Sequence, residues 1–345
     1  MATETPPPGP ELERRRHPTL VDVARIAQVA PSTASRALNA SPRISETTRR
    51  RVNAAALRLG YQPNRIAQSL RARSANFVGI VVPDIGVGFY SRFVKGAQDV
   101  LERAGHQVLV MSTEREAERE TTALRTLEAH RVGGILLATS AAGVAEPGVP
   151  TVFFDNVVPG RGVASVACAN RDGIDLLVRH LAGHGHTRVA YIGGPPTQTS
   201  GAERLDGFRR AVRRLALDDR SRYVELGDAV WSPGSGAAAL RRLLALEEPP
   251  TAVVTSGDTL ALGAMSACRE AGLRLPGDMA LVSFDDPAFG DLLDPPVTAL
   301  TRPETEMGKL AATLLLQALS PGAAVPPTEV RLPVELVIRR SCGCP

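Results

Sequence analysis

The chain has 345 residues, 43% of them hydrophobic and 22% charged, with a formal net charge of +4. That length predicts two or three domains rather than one, and no run of eighteen apolar residues is present to form a membrane helix. The opening stretch MATETPPPGPELERRRHP has no apolar centre, which argues against a secretory signal, and its prolines and charges read residues 1–17 as a disordered tail.

Two short apolar-periodic segments follow. Leu20, Val23, Ala24 and Ala27 make one helical face, and Thr33, Ala34, Ala37 and Leu38 make the next. Helices this short are marginal alone in water, so they are expected to form a helix-turn-helix backed by a third helix. The third runs from about Glu46 to Leu59, with Ser45 as its cap and Gly60 as its stop. Val52, Ala56 and Leu59 supply its apolar stripe. Tyr61-Gln-Pro-Asn64 then leads into RIAQSL, too short to be a stable helix unless two copies meet. Charge is uneven along the chain. Residues 17–73 hold ten arginines against Asp22 and Glu46 alone, an excess of eight positive charges, while the first sixteen residues balance. A basic head on a mildly acidic body is the footprint of a protein that touches phosphates with one end.

From Phe77 the pattern changes to short apolar strands alternating with amphipathic helices. Strands are expected at Phe77–Val82, Gln107–Met111, Gly134–Ala138, Val152–Phe154, Val163–Val166, Arg188–Ile192, Ala252–Thr255 and Met279–Phe284. Helices are expected at Phe89–Ala104, Glu116–His130, Asn170–Leu181, Ala202–Leu215, Ser235–Leu246 and Thr259–Ala271. Such alternation implies parallel sheets with helices on both faces. A faint repeat relates FVGIVVPD…FVKGAQDVLERAGHQVLV to RVAYIGGP…RLDGFRRAVRRLAL, which predicts two similar α/β halves with a cleft between them.

The string TLVDVARIAQVAPSTASRALN, residues 19–39, closely resembles the helix-turn-helix pattern T-L-x-D-V-A-x-x-A-x-V-S-x-x-T-V-S-R-x-L-N of the lac repressor (LacI/GalR) family. GYQPNRIAQSL, residues 60–70, is similar to the same family's hinge, at the expected distance. The resemblance extends from Thr19 to about Ser341. It implies an N-terminal all-α helix-turn-helix domain and a periplasmic-binding-protein-like α/β core of two parallel-sheet subdomains. The boundaries it suggests are residues 18–64 for the helix-turn-helix and 65–75 for the hinge. Residues 76–168 with 302–326 would form the first core subdomain, and 169–301 with 327–341 the second. The chain would cross near Cys168–Asn170, Thr301–Pro303 and Pro326–Thr328, with Val330–Val337 a strand of the second half.

The same resemblance implies function. Pro31, Ser32 and Arg36 match positions that read base edges, and Thr33 and Ser35 lie on or beside the face that reaches phosphate. Thr19, Asn39, Asn64, Arg65 and Ala67 belong to the same expected DNA-binding set. Leu70 matches an apolar lever pushed into the minor groove. Arg204 matches an arginine that grips a small effector, and Asp285 its acidic counterpart, although the two could instead pair with each other. Phe89, Tyr90, Asn170 and the single tryptophan, Trp231, complete the expected effector set. An aromatic plate with Arg and Asp beside it suits a sugar or related metabolite. Departures are visible at Gln28 and Ala30, where the family has a turn glycine and a capping serine. Others are Ala169 and Gly257, where polar cleft residues are usual.

The implied protein is a sequence-specific DNA-binding regulator, a repressor controlled by a metabolite, and not an enzyme. No G-x-S-x-G, P-loop or strand-linked G-x-G-x-x-G is present. The rival reading is a solute-binding protein, which the basic head argues against. Partners are expected to be a pseudo-palindromic double-stranded operator, the effector and a second copy of the chain, with no membrane. No leucine heptad follows the last strand, so a homodimer is expected. Localisation is expected to be cytoplasmic and bacterial. No cofactor is expected. His180 and His184 stand at the i, i+4 spacing that can hold zinc, but the resemblance places them in a helix-end turn where no metal is expected. Cys342-Gly-Cys344 lacks the CxxC spacing of common metal and redox motifs.

Overall fold

The computed structural model describes residues 18–38, 41, 43–61, 77–139, 147–158, 162–218, 221–226, 231–320, 322 and 327–344. The chain divides into two compact units, Met1–Ser74 and Ala75–Pro345.

The first unit holds α1 (Leu20–Ile26), α2 (Pro31–Leu38) and α3 (Glu46–Leu59). Thr19 and Asp22 start α1 with a capping box: the Asp22 N–H donates to Thr19 Oγ1 and the Thr19 N–H donates to Asp22 Oδ2. Ser45 Oγ accepts the Thr48 N–H to start α3, and Gly60 ends it at φ +63°. Among the described residues, six of the eight fully buried apolar side chains in this core are alanines; Val23 and Val52 are the others. At about 0.8 kcal/mol per buried CH2, such small side chains stabilise little. Caps and cross-helix bonds therefore matter here, among them the 2.6 Å bond from Arg51 Nη2 to the Ala27 carbonyl at the end of α1.

The second unit begins with β1 (Phe77–Val82), α4 (Gly88–Arg103), β2 (Gln107–Ser112), α5 (Ala117–Ala129), β3 (Gly134–Leu137), β4 (Thr151–Phe154) and β5 (Ser165–Cys168). It continues with α6 (Asn170–Gly183), β6 (Val189–Ile192), α7 (Thr199–Arg214), β7 (Val224–Glu225), α8 (Pro233–Leu244), β8 (Ala252–Thr255), α9 (Asp258–Glu270) and β9 (Ala280–Ser283). It ends with β10 (Thr298–Thr301), α10 (Glu304–Leu319), β11 (Glu329–Leu332) and β12 (Glu335–Val337). Two six-stranded sheets result, in the orders β11-β5-β4-β3-β1-β2 and β12-β10-β9-β8-β6-β7. Every pairing is parallel except β10 with β12. Central strands such as GILL and AVVT are buried at every residue, as expected of strands covered on both faces.

The expected strand at 330–337 is two strands. Residues 329–332 pair with β5 in the first sheet, and 335–337 pair with β10 in the second. The chain therefore changes sheets at Pro333-Val334, not at 326–328, and residues 327–332 belong to the first half. Proline interrupts the run because it lacks the N–H that a continuing ladder needs. The helix α10, whose polar face is only the thin stripe Glu306, Lys309, Thr313 and Gln317, and the strands β7 and β10 were not among the expected elements.

The faint repeat has a packing basis. A Cβ on Gly96 of α4 would stand 2.1 Å from the Thr305 carbonyl of α10, and one on Gly308 of α10 would stand 2.1 Å from the Phe93 carbonyl of α4. In the second half, a Cβ on Gly207 of α7 would stand 2.7 Å from the Arg171 carbonyl of α6. Glycine lets paired helices approach backbone to backbone in each half.

Candidate functional site

In the first unit α2 buries Ala34 and Ala37 and turns Pro31, Ser32 and Arg36 outward; Thr33 and Ser35 are half-buried. The side chain of Arg36 lies along the helix, its Nε donating to the Ser32 carbonyl at 3.2 Å. Among the described residues no carboxylate pairs with Arg36, Arg43 or Arg58, whereas Arg25 pairs with Asp22 and Arg50 with Glu46. The Thr19 hydroxyl is occupied by the capping box at the start of α1. Gln28 takes φ +50° in the turn, a conformation that favours glycine, and Ala30 offers no side-chain acceptor at the cap position of α2. Asn39, Asn64, Arg65, Ala67 and Leu70 lie outside the described residues.

In the second unit a cleft lies between the two sheets, at the carboxyl ends of their parallel strands, where ligand sites of open α/β sheets occur. Phe89 and Tyr90 stand in the first turn of α4, and Asp155 follows β4 with φ +60°. Gln198, Ser200 and Arg204 come from the start of α7, Trp231 from the approach to α8, and Asp285 from the end of β9. Arg302 sits on the two-residue connection between β10 and α10.

Arg302 occupies the middle of the cleft. Its Nη1 donates to Asp155 Oδ1 at 3.1 Å, and its Nε stands 2.8 Å from Asp285 Oδ1. The guanidinium carbon lies 3.6 Å above the Phe89 ring. Burial opposes its charge, but Asp285 and then Asp155 outweigh that and hold it firmly protonated. The Tyr90 hydroxyl donates to the second oxygen of Asp155 at 2.9 Å, and burial, then Asp155, push the phenol well above its usual range. The Arg302 N–H is not aimed along its short contact, so Asp285 Oδ1 is buried without an aligned hydrogen bond.

Arg204 is also buried. Nε donates to Asn170 Oδ1 at 2.9 Å, Nη1 donates to the Ser256 carbonyl at 2.6 Å, and the guanidinium stacks 3.7 Å from the Phe284 centroid. Its distance to Asp285 is 3.6 Å, so Arg302 is the nearer partner of that carboxylate. Asn170 stands behind Arg204, away from the cleft lining, donating to Glu203 at 2.8 Å. Glu203 in turn accepts two bonds from Arg331 of β11, at 2.7 and 2.6 Å. That carboxyl is buried, which pushes it up, but the Arg331 and Asn170 bonds prevail and hold it below its ordinary range. Trp231 donates from its indole to Gln198 at 3.1 Å. A Cβ on Gly257 would meet the Trp231 ring at 3.1 Å, and one on Gly194 would meet it at 2.3 Å. The indole thus takes the space into which a side chain at 257 would project, which accounts for the missing amide there.

The halves are joined by further contacts. Ser200 donates from N and Oγ to Asn156 Oδ1 at 3.1 and 2.7 Å, and the Thr199 hydroxyl donates to the Val157 carbonyl. The cavity left between these residues is about 40 Å³, room for about three waters at roughly 10–15 Å³ each. Asp155 and Arg302 were not singled out from sequence. Neither stands in a motif, and their 147-residue separation is closed only by the sheet crossing. Their positions just past strand ends were the one available signal. Asp258, at the start of α9, also lines the cleft; burial, then the charge of Asp285, raises its carboxyl pKa.

Comparisons with known proteins identify the family and the fold. Residues 19–64 match the model of bacterial regulatory proteins of the lacI family, and residues 178–342 match a periplasmic binding protein-like domain. The ribose operon repressor of Escherichia coli K12 is 33% identical over 310 residues, covering 88% of this chain and 93% of the repressor. Among solved structures, a lac repressor dimer bound to operator and the anti-inducer ONPF superposes with a TM-score of 0.82 at 30% identity. It covers 95% of this chain and 99% of its own. A complex of the transcriptional regulator CelR with cellobiose gives a TM-score of 0.72 at 31% identity, covering 94% and 99%.

Proposed function

The chain belongs to the lacI family of bacterial regulatory proteins, a DNA-binding repressor family and not an enzyme family, and from that premise we propose how its two units divide the work. The helix-turn-helix unit reads an operator. One such unit spans only a few base pairs, so the operator is pseudo-palindromic and the chain binds it as a homodimer. Pro31, Ser32 and Arg36 face the base edges, with Arg36 bonding guanine bidentately. The excess of positive charge in residues 17–73 neutralises phosphates, so affinity falls steeply with salt.

The cleft of the second unit takes a small polyhydroxylated metabolite, a sugar or a relative of one. The observation that carries this reading is the Asp155–Arg302–Asp285 bridge, which joins a carboxylate of each half through one buried cation. A ligand with several hydroxyls can replace those bonds one for one: carboxylates accept from it, Arg204 and Arg302 donate to it, and Trp231 covers its apolar face. With about 40 Å³ available, the cleft must open to admit such a ligand. Binding therefore changes how the halves sit against each other, the differential interaction that any effector needs.

The test is a titration of the full chain with pentoses, hexoses, disaccharides and nucleosides, read by Trp231 fluorescence and repeated with operator DNA. The expected outcome is one chemical class that changes the fluorescence. Operator must change that ligand's affinity by the same factor by which the ligand changes operator affinity. Binding of the ligand with no mutual effect would sink the proposal of effector control, and retention of operator binding by Arg36→Ala would sink the assignment of α2.

A further inference from the structure

Away from the cleft, the far end of α6 carries a second convergence of chemistry. His180 in the last turns of that helix and His184 at its C-cap have ring centroids 4.9 Å apart. The chain's C-terminal turn brings Cys342 and Cys344 to the same spot. Cys344 Sγ stands 3.2 Å from His184 Nε2 and 3.8 Å from His180 Nε2. All four ligand atoms lie within 4.8 Å of one another. We propose that His180, His184, Cys342 and Cys344 form a closed Cys2His2 zinc site that clamps the C-terminal tail to the end of α6.

Several independent features converge on that assignment. With Zn–S near 2.3 Å and Zn–N near 2.05 Å, a tetrahedral S–Zn–N pair sets sulfur and nitrogen about 3.6 Å apart; the two S···N distances bracket that value. Two thiolates and two neutral imidazoles leave the divalent ion with no net charge, which suits a half-buried place. Four protein ligands leave no open position, so the site is structural rather than catalytic. The tail is held in place for the purpose. Ser341 donates from Oγ to the Leu281 carbonyl at 2.6 Å and accepts the Thr298 N–H at 2.8 Å. Gly343 takes φ +99°, where a side chain would be strained, and lets the Cys-Gly-Cys turn bring both sulfurs to the helix. The Thr298 hydroxyl lies 3.0 Å from Cys342 Sγ and 2.9 Å from the Arg339 carbonyl, so turning its one proton from that carbonyl to a Cys342 thiolate would fix the orientation of the sulfur.

The chemistry balances simply. Each cysteine gives its thiol proton to the buffer as Zn2+ binds, and each histidine ligates through the lone pair of a neutral ring, so two protons leave per ion. No oxidant is involved, and all four cysteines are free thiols in the structure.

The test uses the full chain, stripped of metal under a phosphine reductant and titrated with Co2+ and then Zn2+. The expected result is one Co2+ per chain with visible d–d bands of tetrahedral intensity and a sulfur-to-cobalt charge-transfer band, both abolished by one equivalent of Zn2+. Cys344→Ser and His184→Ala remove partly exposed ligands and should leave the fold, judged by circular dichroism, and operator binding intact. Each should weaken metal binding by more than about 100-fold, since even outer-shell changes cost 10–100-fold. Octahedral cobalt spectra without the charge-transfer band would overturn the proposal. So would a wild-type chain that takes up no metal, or variants that bind as tightly as wild type.

Discussion

Arg36 stands exposed on α2 with no carboxylate partner among the described residues, whereas Arg204 and Arg302 are buried in the cleft and held on several sides by acids, carbonyls and aromatic rings. The same side chain serves two designs. In the helix-turn-helix unit the groups proposed to read DNA are presented to solvent, and the small alanine core behind them is only a support. In the cleft the charged groups satisfy one another, and the proposed ligand would have to compete with bonds already made. The first design costs little in stability to keep ready. The second stores its specificity in buried charges, whose loss is felt by the whole unit.

The sharpest way to break this contrast is to remove the central cation. Among the described residues of the cleft, Arg302→Met leaves Asp155 with only the Tyr90 hydroxyl and Asp285 with only Arg204, at 3.6 Å, as charged or donating side-chain partners, and breaking a buried pair on one side costs about 3–5 kcal/mol. Urea unfolding of the full chain should show the large unit's transition shifted by that amount. Adding Asp155→Asn should recover a good part of it, since neighbouring residues in one network couple. A loss below about 1 kcal/mol would mean that the bridge is solvated and the contrast false.

Next in size is Glu203→Gln, which weakens the bonds from Arg331 and Asn170 and a 3.0 Å bond from Arg171 Nη1; bonds to charged groups contribute about 1.5–3 kcal/mol. Its pH dependence sharpens the comparison. Because the folded carboxyl is held below its ordinary value of 4.5, its contribution is complete above that value and is lost as pH falls through the lower folded pKa. Acid titration of stability should steepen below about pH 4.5 in wild type and flatten in Glu203→Gln; identical acid limbs would remove Glu203 from the account.

Arg36→Ala should leave unfolding unchanged and cost about 1–3 kcal/mol of operator discrimination, a loss of roughly 5–150-fold in the ratio of specific to non-specific binding. A quantitative mobility shift on operator and scrambled DNA decides it. The smallest effect is a gain. Ala30→Ser supplies the missing cap of α2 and should stabilise the helix-turn-helix unit by about 1 kcal/mol. Proton-exchange protection in α1 to α3 would report it, and unchanged protection would show that Ala30 is not the cap.

The same contrast explains what sequence could reveal. The helix-turn-helix was legible because its signals are local: the spacing of Val23, Ala24 and Ala27, the cap at Ser45 and the stop at Gly60 all act within a few residues, whereas the capping box at Thr19 was not read from the sequence. Arg204, Asp285, Phe89, Tyr90 and Trp231 were legible only through resemblance, and the structure gathers them round one cleft. Asp155 and Arg302 were not, because the interaction that defines them spans most of the second unit. Asn170 matched the effector pattern, yet the structure sets it behind Arg204, where its amide orients the guanidinium. The division of residues 329–337 between two sheets was hidden because exposed and half-buried residues alternate without a break from Glu329 to Leu336, straight across Pro333.

That division constrains how the large unit moves. The backbone passes from one sheet to the other over Ala169 alone, over Arg302-Pro303, and over Pro333-Val334. At about 3.3–3.6 Å per extended residue, none of these tethers can lengthen by more than a few ångströms. Sliding one half along the other is therefore stiff, while swinging about the tethers is soft. Arg302 sits on one of those tethers, so such a swing would move its backbone little and the far rim of the cleft most. A bulky ligand would be registered as an angle, and the three tethers would convert molecular size into rotation.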